Sequence, residues 1–163
     1  MNFFLNILII LSWHYISFKI VTRPSYKLFY EDEKDCDPKK LLKLEKFYEK
    51  VLKIKIWKDK IPQYVSKGGF SKRKIKSLDL NYLNRFVCET YRAETDHFMC
   101  CLIMPFLFFL NELKSFIFFS ILIMLGNIPC ILIQRYNRCR LRRLIMKIQD
   151  RNERKMCTKG NYD

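Results

Sequence analysis

The 19 residues from Ser115 to Ile133, SFIFFSILIMLGNIPCILI, carry no charged side chain. As a helix rising about 1.5 Å per residue they cover roughly 28 Å, close to the hydrocarbon thickness of a bilayer. Backbone amides in hydrocarbon must be satisfied within their own segment, so this stretch is expected to be a membrane-crossing helix. Inside it, Gly126-Asn127-Ile128-Pro129 sets an amide side chain among residues that weaken a helix, and a disruption of the helix is expected there. An amide within the bilayer needs partners, which makes a polar site nearby the working hypothesis.

Two further apolar runs flank different parts of the chain. Phe98 to Leu110 has 13 residues, about 20 Å as a helix, and contains Pro105. It pairs with Ser115 to Ile133 as a hairpin through Asn111, Glu112, Leu113 and Lys114, either spanning a thinned bilayer or re-entering from one side. Met1 to Leu11, with a weaker continuation to Val21, is either a signal peptide or an anchor. No side-chain charge precedes its apolar core and no small-residue cleavage pattern stands before Arg23, so an uncleaved anchor is the reading adopted. The chain therefore reads as a mainly α integral membrane protein with four parts: an anchor over 1–22, a basic amphipathic region over 23–97, a membrane hairpin over 98–133 and a basic juxtamembrane tail over 134–163.

The net charge of +15 then belongs to the membrane surface. Arg23 to His97 holds 19 cationic residues against 12 acidic ones, and Gln134 to Asp163 holds 10 against 3. The positive-inside tendency puts both blocks in the cytoplasm, with amphipathic helices on that face. Whether the hairpin spans or re-enters, His97 and Gln134 emerge at the same membrane face. The basic residues are spread beside apolar segments and form no nucleic-acid motif, so no nucleic-acid partner is expected. The seven cysteines show no CxxC pair and no metal-ligand spacing, which points to reduced thiols and no metal; no cofactor is expected. Cys139 has the juxtamembrane position of a palmitoylated cysteine, but a plain reduced thiol accounts for it and is the reading adopted.

Asp37-Pro38 reads as a helix cap followed by proline at the first helical position. Leu41, Leu44, Tyr48, Val51 and Leu52 then recur at helical spacing, predicting a helix over about 38–53 with lysines opposite, docked on core or on lipid. The alternation in KIKIWKDKIP, Lys53 to Pro62, predicts a short extended piece, and Lys67 to Lys76 a basic loop. A second helix is expected from near Leu78 through ETYRAETDH, Glu89 to His97. On a helical wheel Thr90, Ala93, Glu94 and His97 share one side, with Glu89, Arg92 and Asp96 on the next. Glu94 is three residues from His97 and can orient its imidazole; Arg92 can pair with Glu89 or Asp96. A solvated helix with ordinary ion pairs accounts for the same spacing.

After the long apolar run comes QRYNRCRL, Gln134 to Leu141. Arg135, Arg138, Arg140, Arg142 and Arg143 satisfy a charge stop at anionic lipid, and Leu141, Leu144, Ile145 and Ile148 form a stripe read as an interfacial helix. On these features alone the chain is a membrane adaptor that binds anionic lipid or a partner through its basic tail. That account leaves Gln134, Tyr136 and Asn137 without a purpose.

ETYRAETDH, an apolar hairpin and GNIPCILIQRYNRCRL in that order, together with WKDKIP at Trp57 to Pro62, resemble the glycosyl-4,4'-diaponeurosporenoate acyltransferase family across most of Lys53 to Arg154. Cys139 stands where that pattern has proline and Phe98 where it has tryptophan. The resemblance implies a membrane acyltransferase that esterifies the glucose 6-hydroxyl of a glycosylated carotenoid with a fatty acyl group from a thioester donor, completing staphyloxanthin-type pigment. Its partners would be membrane lipid, the glycolipid acceptor and the acyl thioester. The chemistry needs a base for the sugar hydroxyl and donors for the developing oxyanion. His97 is assigned as base with Glu94 orienting it. Arg135, Asn137, Arg138 and Arg92 are assigned to the oxyanion or donor, and Gln134, Tyr136 and Trp57 to the acceptor. There is no HxxxxD pair at His14 or His97 and no GxSxG elbow.

Overall fold

The fold was obtained as a computed structural model, which describes residues 2–29, 37–61 and 75–159. The regular structure among them is helical. Helix α1, Phe3–Thr22, is capped by Asn2, whose side chain accepts from the Phe4 amide. A short 3₁₀ turn, Tyr26–Phe29, follows it. Helix α2, Pro38–Lys50, starts where its cap and proline predict, with the Asp37 carboxylate accepting from the Lys39 amide at 2.9 Å. Helix α4, Leu80–Cys101, is capped in the same way by Asp79, which accepts from the Tyr82 amide at 3.0 Å. Between α2 and α4 lies α3, Ile54–Trp57, which runs into a 3₁₀ turn at Lys58–Lys60. Helix α5, Ile103–Leu110, and the 47-residue α6, Leu113–Lys159, complete the chain.

The extended piece expected at Lys53 to Pro62 is helical over its described part; Pro62 and the basic loop over 67–74 lie outside the described residues. Lys53 takes a left-handed conformation, φ 48°, which ends the path of α2 and starts α3. Ile54 is then fully buried while Ile56 is 65% exposed, and Trp57 joins Ile54 against the core, so burial follows a helical step of three rather than alternation.

Proline decides one helix boundary and fails to make another. Pro105 sits in the first turn of α5, where its missing N–H removes no helical bond, and its ring opposes the carbonyl of Cys101, the last residue of α4. The break at Leu102 follows. Pro129 lies inside α6, which nevertheless runs on as one helix, so the disruption expected at Gly126 to Pro129 is absent. Beside it a Cβ on Gly126 would meet no neighbour within 4 Å. Only the Pro129 donor toward Leu125 is lost, and surrounding helices hold the rest.

Helices α1, the α4–α5 pair and α6 are each long and apolar enough to cross a membrane. Phe4, Leu11, Phe109 and Leu125 point away from protein, as lipid-facing side chains do. Between the three helices Ile103, Leu107, Phe119 and Ile123 are buried, with Ile9, Ile10 and Trp13 of α1 against them. Polar clasps hold α1 in place, because hydrocarbon offers no other partner. Asn6 and Asn111 exchange side-chain hydrogen bonds at 2.9 and 2.8 Å, and the Trp13 indole donates to the Met99 carbonyl at 2.8 Å.

Two cores lie beyond the bilayer run of α6. Leu41, Tyr48, Ile54, Tyr136 and Cys139 form one under α2 and α3; Leu83, Phe86, Val87, Leu141 and Ile145 form the other under α4. The Leu141–Ile148 stripe, read above as docked on lipid, is therefore packed on α4: Leu141 is 3% exposed and Ile145 fully buried. For α2 the core alternative holds at Leu41 and Tyr48, while Leu44, Phe47 and Val51 remain exposed.

Candidate active site

Three helices bring polar groups together at one end of the bundle. The first set is centred on Asn127, 4% exposed in the apolar part of α6. Its Nδ2 donates to the Ile123 carbonyl at 2.9 Å, and its Oδ1 lies 2.9 Å from His97 Nδ1. On the other side, Asn127 Nδ2 is 3.4 Å from His14 Nε2, and His14 Nδ1 is 2.8 Å from the Ile10 carbonyl. The amide thus finds partners on α4 and α1. His14 was invisible to sequence reasoning as a site residue, since a lone histidine in an apolar helix carries no spacing signal.

The second set is centred on Glu94, one turn before His97. Its carboxylate receives Arg135 Nε at 2.5 Å and pairs with Arg138 Nη1 at 2.6 Å. Glu94 therefore binds the arginines of QRYNRCRL instead of orienting His97, a task the structure gives to Asn127. The bond to Glu94 holds the Arg135 guanidinium more firmly in its charged form. Arg138 also stacks on Tyr91, 3.7 Å from the ring centroid, while Arg142 donates to the Tyr91 hydroxyl at 2.8 Å. Tyr48 lies within the electrostatic reach of Arg135, Arg138 and Glu94; burial pushes its hydroxyl above the ordinary value and keeps it neutral. Gln134 Oε1 is buried and has no hydrogen-bond partner among the described residues.

The other expected site residues are placed elsewhere. Arg92 Nε donates to the Val21 carbonyl at 3.1 Å, its Nη2 bonds Thr22 O, and Nη1 pairs with Glu89 at 3.5 Å. It caps the carboxyl end of α1, where unpaired carbonyls favour a cation, and so is not free for an oxyanion. Tyr136 is fully buried, edge-on to Tyr48, and donates to Glu49 at 2.9 Å. Burial, then the Glu49 bond, pushes its hydroxyl up to about 12. Trp57 packs on the same core and donates its indole N–H to the Leu52 carbonyl at 2.9 Å. Tyr136 is thereby a framework residue closed to a sugar, while Trp57 keeps part of its ring exposed. Asn137 lines a separate cavity of about 240 Å³ with Lys58, Arg140, Arg143 and Lys147 around Glu45.

This division follows from helix phase. Eight consecutive residues step round a helix at about 100° each, so Tyr136 and Cys139 face α2, Arg138 faces α4, and Asn137 faces the cavity between. The described residues include no group of three or more His, Cys, Asp or Glu side chains able to hold a metal.

No solved structure matches the chain. Curated relatives do: the glycosyl-4,4'-diaponeurosporenoate acyltransferases of Staphylococcus aureus strains MRSA252, N315 and USA300 are each 30% identical over 112 residues, covering 67% of this chain and 67% of theirs. The sequence model of that family matches residues 28–147, a range that holds Glu94, His97, Asn127, Arg135 and Arg138 but not His14. With the family blocks ETYRAETDH and QRYNRCRL joined in space through Glu94 and its two arginines, the chain belongs to the glycosyl-4,4'-diaponeurosporenoate acyltransferase family.

Proposed function

We propose that this protein transfers a fatty acyl group from a thioester to a sugar hydroxyl of a glycosylated carotenoid at the cytoplasmic face of the membrane, the last step of a staphyloxanthin-type pigment. The observation that carries the reading is the Glu94–Arg135–Arg138 cluster where the apolar helices end, with His97 one turn beyond Glu94 on the same helix, in a chain of this family. Apolar tails of donor and acceptor lie beside α1, α5 and α6, and their polar heads reach the cluster. His97 takes the hydroxyl proton as the oxygen attacks the acyl carbon. Arg135, 53% exposed at its side chain, turns its remaining N–H groups to the oxyanion, while Glu94 and Tyr91 hold Arg138 behind it. Gln134, a partly exposed residue beside Arg135, is assigned to the sugar hydroxyls. The cationic cavity at Asn137 seats the donor's phosphate groups.

Retention of α1 is part of this proposal, since its His14 is tied to Asn127 and so to His97. Arg142 and Arg143, the tail cations an adaptor would offer to lipid, bond Tyr91 and Glu45 within the protein, which weakens the adaptor reading.

The test is ester formation in membranes from labelled acyl thioester and glycosylated carotenoid. His97→Ala lowers turnover on the order of 10²–10⁴-fold if the residue is the general base. Undiminished turnover eliminates it.

A further inference from the structure

The contacts around Asn127 decide more than the position of His97. A backbone carbonyl only accepts hydrogen bonds, so the atom of Asn127 facing Ile123 O must be its nitrogen, and the other end of the amide must be oxygen. That oxygen can only accept, so His97 Nδ1, 2.9 Å away, must carry a proton and donate it. In the neutral imidazole Nε2 is then the bare nitrogen. The same logic runs the other way from Ile10 O. His14 Nδ1 must donate to that carbonyl, which leaves His14 Nε2 as an acceptor for the second N–H of Asn127. Two carbonyls on two different helices thus fix one consistent set of protons across α1, α6 and α4. Asn127 lies six residues before the end of the apolar run, about 9 Å along the helix, where water offers little competition.

We infer that Asn127 and His14 are positioning residues for the acyl transfer. Asn127 holds His97 in the tautomer whose Nε2 is free to accept a proton, and His14 holds the amide of Asn127 the right way round. The inference rests on the reading of His97 as base. In the step itself the sugar oxygen forms its bond to the acyl carbon as its proton passes to His97 Nε2. The carbon–sulfur bond of the thioester then breaks, and the departing thiolate takes that proton back from Nε2. An imidazole protonated on Nε2 instead would present a donor to the hydroxyl and could not begin this sequence. His14 lies on α1, outside the residues matched by the family model, and through its contact with Asn127 the anchor helix takes part in positioning His97.

The chain has only two histidines, so ¹⁵N labelling of histidine in the full-length protein in detergent or lipid reads each ring separately. The expected spectrum shows both rings as Nδ1–H tautomers. Asn127→Ala should scramble the His97 tautomer and lower kcat about tenfold or more with KM little changed, because the binding groups are untouched. His14→Gln keeps an acceptor near the position of Nε2 and should retain most of the turnover. His14→Phe removes it and should behave like Asn127→Ala. A His97 ring found as the Nε2–H tautomer in the unmodified protein overturns the inference. So does a His14→Phe protein with kcat within about twofold of the parent, since a purely structural contact would leave kcat unmoved. If His97→Ala itself keeps full activity while the Nδ1–H tautomers are observed, the base reading fails and the positioning role falls with it, leaving only a structural clasp.

Discussion

Tyr136 shows what a single residue in a family block is doing when it is not at the chemistry. Its ring fills the core under α2 and its hydroxyl donates to Glu49, which Lys55 in turn holds below the usual carboxylate range. Tyr136→Phe keeps the ring and removes the bond, so stability should fall by about 1 kcal/mol with the acyl transfer otherwise preserved. The pH dependence has a definite sign. The hydroxyl ionises near 10 in the unfolded chain and at about 12 in the fold. Below pH 10 both states keep the proton and the stabilisation is whole; between pH 10 and 12 the unfolded chain loses it first, so stability falls as pH rises. Thermal unfolding in detergent should show that loss in the parent and a shallower one in the variant. At this scale the sequence was only partly legible. Glu94, Arg135 and Arg138 meet because their blocks lie on facing helices, and the wheel put Glu94 and His97 on one side. The partner of each was not legible, because Asn127 and His14 are 30 and 113 residues apart from theirs in the chain and no periodicity encodes such a pair.

At the scale of the element, α6 carries two kinds of apolar surface that look alike in sequence. Leu125 is 66% exposed and faces lipid, whereas Ile145 is fully buried against α4. Ile145→Ala should cost on the order of 2–5 kcal/mol through the cavity it leaves, while Leu125→Ala should cost little because lipid refills the space. Chemical or thermal unfolding in mild detergent separates the two. The membrane run from Ser115 to Ile133 and the cap at Asp37-Pro38 were legible because each is a local signal, one of length without charge and one of cap chemistry. The short helix at Ile54 was not. Its isoleucines alternate as a strand's do, and only the left-handed turn at Lys53 sets the direction in which they point.

For the whole molecule the polar clasps fix which ends of the helices lie together. Asn6 meets Asn111 at one end, and Thr22 meets Arg92 at the other. Both basic blocks therefore leave the bundle at the same end, as the charge count expects. In sealed cells, with the other cysteines replaced, Glu112→Cys should react with an impermeant thiol reagent, and the native, exposed Cys157 only after the membrane is opened. Labelling of Cys157 from outside would reverse the orientation proposed above.

The unbroken length of α6 has a mechanical corollary. Leu113 to Lys159 is a single rod of roughly 70 Å, so the amide at Asn127 and the guanidinium at Arg135 ride on the same axle and cannot change phase independently. Inserting one alanine after Ile133 turns everything beyond it by about 100°, swinging Arg135 and Arg138 off Glu94 while His97 keeps Asn127. Four alanines bring the rotation back to within about 40° of the original but lift the tail by about 6 Å. Acyl transfer should fall with either insertion, and the single one should also unseat Tyr136 and Ile145 from their cores. The enzyme would thereby behave as a torsional gauge: its activity reports how faithfully one helix keeps count of its own turns between the lipid and the polar cores beyond it.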